Sequence, residues 1–473
     1  MHAPRVVVVG AGATGLAAAV TLADKAARAG IPLALRVIEA AARVGGHVQS
    51  TCVDGFVVEA GPNGFLNREP ETLTLIEMLG LTSRLIEARS EAKRRYIVRD
   101  GGLRQVPNGP ATLVTSPALS WRGKLRLLGE PFAAGPPPGE ESVHDFATRR
   151  LGAEVADVLV DAAVGGITAG DSRRLSVAAQ FPRLVEMEHD HGSLLRAMFA
   201  RRPAGAAPAP SKLLSFDQGL GVLTAAMATR LGRAISTGAP AAALTRRDGE
   251  WRVTLGSGET LAADHVVLAL PARQAASIVE PLDGALGAAL STFEYSGLVV
   301  VALAYRAADV PRPLDGYGYL TTRPEGLATL GVAWESSMFP GRAPDGSVLL
   351  RVMLGGARRP ELATAPHAQV IGLARTDLQR VLGITAAPVH VAIHAWPEAL
   401  AQYTLGHRDR RDGVLTLAAQ HPGLWLCGTS YDGVSFNDAI KSGRLTARRV
   451  AEQTWGAGAS RAEPDLDAAG VQA

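Results

Sequence analysis

The feature that most constrains this chain is the segment RVVVVGAGATGLAAA, where a β-branched run, Arg5 to Val9, meets the glycine turn Gly10, Gly12 and Gly15. An Ala/Leu-rich stretch follows from Ala13 to Ala29 and is stopped by Gly30, and a second apolar run extends from Leu33 to Ile38. The first and last runs read as strands and the stretch between them as a helix, which makes a βαβ unit. A glycine turn at such a strand-to-helix junction leaves unpaired helix N–H groups and the positive end of the helix dipole facing a ligand, which suits a diphosphate. GxGxxG alone arises often for purely structural reasons, so the flanking strand and helix carry the inference. Glu39 ends the second run, 24 positions beyond Gly15, and its carboxylate is placed to hold a ribose; the usual spacing is about 20. The extra length lies in AARAGIP. At this point NAD and FAD fit equally well.

Composition narrows the alternatives. With 473 residues, 47% hydrophobic and 20% charged, the chain can build two or three domains around substantial cores. Cys52 and Cys427 are its only cysteines, so neither a disulfide framework nor a bound metal is expected, and a reducing cytosol is the natural setting. The basic residues behind a net charge of +3 are scattered, unlike the clustered stripe of a nucleic-acid surface. The N-terminus runs directly into a strand without the pattern of an export signal. No apolar stretch approaches the roughly 20 residues needed to span a bilayer.

Along the chain, Ser142–Leu151 and Ala153–Ala163 read as helices, while 136–141 and Arg201–Pro210 break the pattern as loops. From Trp251 short alternating strands take over, with further apolar strands at His265–Leu270, Val299–Ala304, Leu349–Leu354 and Val389–His394. A late strand, Gly423–Cys427, turns at Gly428 before a helix from about Asn437 to Trp455, and the tail after it is expected to be disordered.

Shortly after Glu39 come ARVGGHVQS and GFVVEAGPNGF. This order of glycine turn, acid, Arg-x-Gly-Gly and Gly-Pro segment resembles flavin oxidoreductases of the amine oxidase superfamily, and it favours FAD. The longer series EAGPNGFLNREPETLTLIEMLGL, KRRYIVRDGGLRQVP, GGITAGDSRRLSVAAQFPRLVEME, SFDQGLGVL, LDGYGYL, VMLGGARRPEL, AQYTLGHRDR and CGTSYDGVSFNDAIKSGR is similar to the oxygen-dependent protoporphyrinogen oxidase family from Arg5 to about Gln453. The resemblance implies an α/β fold: a Rossmann-like FAD-binding domain (1–90, 213–278 and 418–456), a mixed α+β substrate domain (91–109 and 279–417) and a helical membrane-facing subdomain (110–212), with 457–473 as tail. It places FAD against Gly10, Gly12, Ala13, Thr14 and Gly15, then Glu39 and Ala40, then Arg43, Gly45 and Gly46. Gly61, Pro62, Asn63 and Trp396 fall near the flavin ring, and Ala241, Gly428, Val434 and Ser435 complete the cofactor set. His47 stands where the family commonly has a basic residue.

For the substrate, the resemblance implies a porphyrinogen, an apolar macrocycle whose carboxylates need a cation at the rim of an apolar pocket. Arg95 is the candidate cation. Gly166, Tyr317, Gly318, Leu320, Ala333 and Met353 are the candidate walls, with Tyr317 where the family more often has phenylalanine. The family's chemistry is hydride transfer to the flavin, reoxidation by O2 and release of H2O2 in haem synthesis, with no acid–base residue essential. Backbone N–H groups of Gly433–Phe436 would face the charge gathering on the flavin. Coproporphyrinogen III as substrate, an amine oxidase, and a non-catalytic FAD-binding paralogue stay open, although amine oxidases hold a lysine near the flavin and this chain has none between Lys212 and Lys441. Leu113, Val114 and Leu119 mixed with Trp121, Arg122, Lys124 and Arg126 suit an interfacial surface, so the expected location is cytoplasmic or peripheral on the inner face of the cell membrane. A homodimer is left open.

Overall fold

A computed structural model describes residues 3–92, 94–107, 109–200 and 211–456. The loop expected at 201–210 and the tail after 456 lie outside the described residues. Strand β1 (Arg5–Val9), helix α1 (Ala13–Arg28) and strand β2 (Ala34–Ile38) form the expected βαβ unit. β1 is central in an all-parallel five-stranded sheet, ordered Ile235–Ser236, β2, β1, His265–Leu268 and Leu424–Leu426. Both faces of this sheet are covered, which is why β1 reads as unbroken valine rather than as an alternation. Val6 and Val8 pack with Leu16, Val20 and Ile440, while Val7 and Val9 pack with Leu244, Trp251 and Val279. The final helix begins at Phe436 with Ser435 as its cap, and it lies so close along α1 that a Cβ on Gly443 would sit 2.2 Å from the Thr14 carbonyl oxygen.

The second layer is a seven-stranded sheet, ordered His390–Gln402, Glu294–Arg306, Ser347–Gly355, Thr329–Trp334, Gly316–Thr321, Arg94–Arg99 and Gly102–Gln105. Its neighbours are antiparallel except Gly316–Thr321 beside Arg94–Arg99. Alternation sorts its faces. Leu350, Val352 and Leu354 bury against Val370, Ala374 and Leu378 of the helix His367–Leu382, whereas Leu349 and Ala302 meet Phe56 and Val58 on the opposite side. That opposite side faces the glycine turn's half of the molecule.

Residues 110–199 are mainly short helices. Ser120, Ser142, Ser176 and Ser193 each accept a hydrogen bond from a first-turn N–H of the helix that follows, a device worth about 1 kcal/mol per helix. The helix expected to end at Ala163 instead runs through a π-turn at Ala156–Val160 and on to Thr168, so Gly166 is helical rather than part of a turn. The reason is packing, because Asp161 is buried and held by Arg323, Arg358 and Ser172. Leu119 also departs from the expected interfacial surface: it is 3% exposed, in contrast to Val114, Trp121, Leu125, Leu128 and Phe132. No helix among the described residues is long and apolar enough to cross a membrane.

Candidate functional site

At the C-terminal end of β1, Gly10 has φ +101° and a Cβ there would lie 2.6 Å from the Ala269 carbonyl oxygen. Gly15 admits no side chain, because its Cβ would stand 1.9 Å from the Gly10 carbonyl oxygen. The space beside Gly12 is open by comparison, and the nearest atom to a Cβ there is the Gly46 Cα at 4.0 Å. Gly12 pairs with Gly45 as an isolated parallel bridge, and the Gly45 N–H donates to the Ala11 carbonyl at 2.8 Å. Both glycine segments therefore line one cradle, with Ala13 and Thr14 opening α1 behind it.

Glu39 follows β2 and accepts hydrogen bonds from Ala11 N–H (2.7 Å) and Ala41 N–H (2.9 Å). This fixes the carboxylate at the rim beside Ala40, with lone pairs remaining for a diol. The Ala239 N–H donates to the Glu39 carbonyl, which brings the strand holding Ala241 to the same rim. A cradle without side chains, helix N–H groups and an anchored acceptor fit the diphosphate and ribose of FAD. Arg43 turns back to donate to the carbonyls of Val44 and Gly46, 3.2 Å from each. On the far side of the cradle Gly428, its N–H on Ser442, and Val434 beside the Ser435 cap lead into the final helix, whose first-turn N–H groups lack intrahelical acceptors.

Gly61 and Pro62 border the cradle, because a Cβ on Gly61 would stand 1.9 Å from the His47 carbonyl oxygen. Trp396 donates to the Ala60 carbonyl at 2.7 Å and meets the His47 ring edge-on at 4.8 Å between centroids. Burial lowers the His47 pKa, and Arg43 adds to the effect. Burial thus disfavours the charged imidazole at the position where the resemblance places a basic residue. Asn63 donates to Glu335 at 2.7 Å.

The substrate candidates other than Gly166 lie on the seven-stranded sheet, and Gly166 packs on it from the helix that ends at Thr168. Arg95 pairs in register with Gly318, and its guanidinium lies 5.0 Å from the centre of the Tyr317 ring. Its neighbour Arg94 is tied to Asp315, whereas Arg95 has no ionic partner among the described residues. Gly166 abuts Leu320 so closely that a Cβ would meet the Leu320 side chain at 2.2 Å. Ala333 pairs with Gly318 on the next strand. Met353 lies one strand further, opposite Gly331. Tyr317, Leu320, Ala333 and Met353 are each half-buried on a sheet whose remaining residues are largely covered.

Sequence reasoning missed a buried polar group behind Gly61. Arg342 lies 3.4 Å from Glu59 and donates to Ser215 at 2.6 Å. Glu59 also accepts from Ser50 and from the Leu220 N–H. Arg351 donates to the Gly61 carbonyl, and His394 has a buried, unpartnered Nε2. The legible signal was a charge inside an apolar run, FVVEAG and SVLLRVMLG. Burial pushes the Glu59 carboxyl up from 4.5 to about 7. A raised acid contributes stability that is present at acid pH and lost as pH rises through 7. Replacing Glu59 with glutamine, which does not titrate, should therefore leave a stability deficit that narrows by about 3 kcal/mol between about pH 5 and pH 8. Denaturant midpoints of the two proteins at both pH values check this; a constant deficit contradicts it.

The chain was compared with known proteins. The sequence profile of the family described as flavin containing amine oxidoreductase matches residues 13–451. The chain is 34% identical over 481 residues to protoporphyrinogen oxidase of Bos taurus, covering 94% of this chain and 98% of that protein. It is 29% identical over 455 residues to coproporphyrinogen III oxidase of Bacillus subtilis (strain 168), covering 93% and 96%. A crystal structure from Exiguobacterium sp. 255-15, provisionally named a protoporphyrinogen oxidase, superposes with a TM-score of 0.83 at 26% identity, covering 96% of this chain and 100% of that one.

Proposed function

Because this chain belongs to the flavin-containing amine oxidoreductases, and is thus an FAD-dependent oxidoreductase, we propose that it oxidises protoporphyrinogen IX to protoporphyrin IX, with O2 as oxidant and H2O2 as product. The observation that carries this reading is Arg95: a guanidinium stacked on Tyr317, without an ionic partner among the described residues, at the edge of the half-buried wall made by Leu320, Ala333 and Met353. A cation beside an apolar face is the complement of a flat apolar ring bearing carboxylates. The Bos taurus and Bacillus subtilis relatives carry porphyrinogen-oxidising names.

Bound FAD supplies the hydride acceptor. The chain's own residues do the rest. Arg95 grips a carboxylate in a two-pronged contact and sets the macrocycle's orientation. Gly166, lacking a side chain, lets the helix close on Leu320 and leaves a backbone surface toward the ring. The Ser435–Asp438 capping box takes the N–H groups of Ser435 and Asp438, so the remaining first-turn N–H groups of the final helix, those of Phe436 and Asn437, would oppose negative charge near the cofactor. The division into an FAD-binding domain (1–90, 213–278, 418–456), a substrate domain (91–109, 279–417) and a helical part (110–212) belongs to this reading. So does peripheral membrane contact through Val114, Trp121, Leu125, Leu128 and Phe132, exposed beside Arg122 and Lys124; co-sedimentation with anionic vesicles tests it.

Anaerobic mixing with protoporphyrinogen IX should bleach the visible flavin absorbance and yield porphyrin fluorescence. A yellow protein that no porphyrinogen bleaches overturns the reading. Coproporphyrinogen III is the second reading, favoured by the Bacillus relative; faster bleaching by it than by protoporphyrinogen selects it.

A further inference from the structure

Arg351 sits in the apolar strand Ser347–Gly355, where alternation turns Leu350, Val352 and Leu354 into the core and Arg351 and Met353 toward the cofactor half. It is 8% exposed. Its guanidinium donates to the Gly61 carbonyl and approaches the Met353 sulfur at 3.5 Å, while Nε is buried without a partner. Among the described residues no carboxylate stands within ion-pairing distance. Of the buried acids around it, Glu59 is held by Ser50, Leu220 and Arg342, while Glu335 accepts from Asn63 on Oε1 and keeps a buried Oε2 without a partner, outside ion-pairing distance of Arg351. A buried guanidinium left in this state is costly and an aliphatic residue would suit the strand better, so the position points to a ligand that brings electron density.

Its two contacts say which ligand. Gly61 packs on His47, directly after the Gly45–Gly46 pair that lines the cradle with Gly12, so Arg351 borders the cofactor cleft. Met353 lies on the substrate wall. Arg95 stands three strands away in the same sheet, about 14 Å at the usual strand spacing. A substrate held at its carboxylate edge by Arg95 would thus turn its opposite, reacting side toward Arg351. We propose that Arg351 is a positioned cation of the flavin site, facing the ring and drawing its reduction equilibrium toward the reduced form. Two-electron reduction by hydride adds a negative charge to the ring, while the substrate loses a C–H bond and then an N–H proton. A fixed guanidinium in a water-poor site favours that charge. This rests on FAD occupying the cradle and not on which substrate reduces it.

The test needs no porphyrinogen. In Arg351→Met holoenzyme, the reduction equilibrium against a reference dye should move toward oxidised flavin by about tenfold, about 30 mV for a two-electron couple. The dissociation constant of the flavin–sulfite adduct should rise about tenfold as well. Arg351→Lys, which keeps the charge, should stay within about threefold of the parent. A methionine variant that retains FAD with both readouts unchanged overturns the proposal, as does a lysine variant shifted as far as methionine. If methionine loses FAD, Arg351→Gln is read in its place. Loss of FAD from both neutral variants while lysine retains it supports a charge role, and loss from all three overturns it in favour of a purely structural brace. Porphyrinogens that fail to bleach a flavin whose potential responds to Arg351 would refute the substrate reading alone.

Discussion

Replacing Arg95 with alanine is expected to raise the Michaelis constant for the porphyrinogen by about 10- to 100-fold while FAD content stays unchanged. A charge-assisted hydrogen bond to a carboxylate is worth about 1.5–3 kcal/mol, and each 1.4 kcal/mol is a factor of ten. Arg95 lies on an exposed part of its strand and stacks on Tyr317, with no contact to the cradle glycines in the structure, so its loss should spare the cofactor. The adjacent Arg94 is the internal control: its guanidinium is already taken by Asp315, and Arg94→Ala should change the Michaelis constant little. A change in kcat without a change in the Michaelis constant for Arg95→Ala would assign it to the chemical step rather than to binding. Both constants unchanged would remove it from the site.

The second large effect is on the cofactor. Gly15→Val should yield colourless protein, with FAD affinity lowered by at least about 100-fold, about 2.7 kcal/mol. Even one added carbon would stand 1.9 Å from the Gly10 carbonyl oxygen and 3.2 Å from the Ala269 side chain. Backbone atoms cannot rotate aside, so α1 must move off β1, and the N–H groups at its start leave the diphosphate position. Gly102→Ala, at a glycine with no atom within 4 Å of the added carbon, is the matched control and should remain yellow. The ratio of flavin to protein absorbance after gel filtration reads both. Gly15→Val purified with full flavin occupancy would show that the cradle is not the cofactor's seat.

These two positions also show how unequally the site could be read from the chain. Gly10, Gly12, Gly15 and Glu39 belong to one βαβ unit, and their arrangement follows from local rules: a buried strand, a tight turn, a helix start and the end of the next strand. Gly45 and Gly46 were recognisable as a second glycine pair, but their bridge to Gly12 is a tertiary contact. Arg95 was singled out over Arg94 only through the resemblance, since either guanidinium could meet the surface; the physical difference between them is Asp315, far off in sequence, which pairs with Arg94. The helix expected at Ala153–Ala163 stopped short of Gly166, since glycine is a poor helix former. In the fold Gly166 lies in the last turns of a helix, where its lack of a side chain admits Leu320.

Local pattern was thus sufficient for the nucleotide cradle and for the strand and helix content around it, because period and turn chemistry act over a few residues. Which strands neighbour one another, which cation stays unpaired, and that Arg351 reaches the Gly61 carbonyl depended on the packed sheets. Those contacts join residues hundreds of positions apart, and side-chain alternation along one strand says which residues share a face without saying what that face will meet.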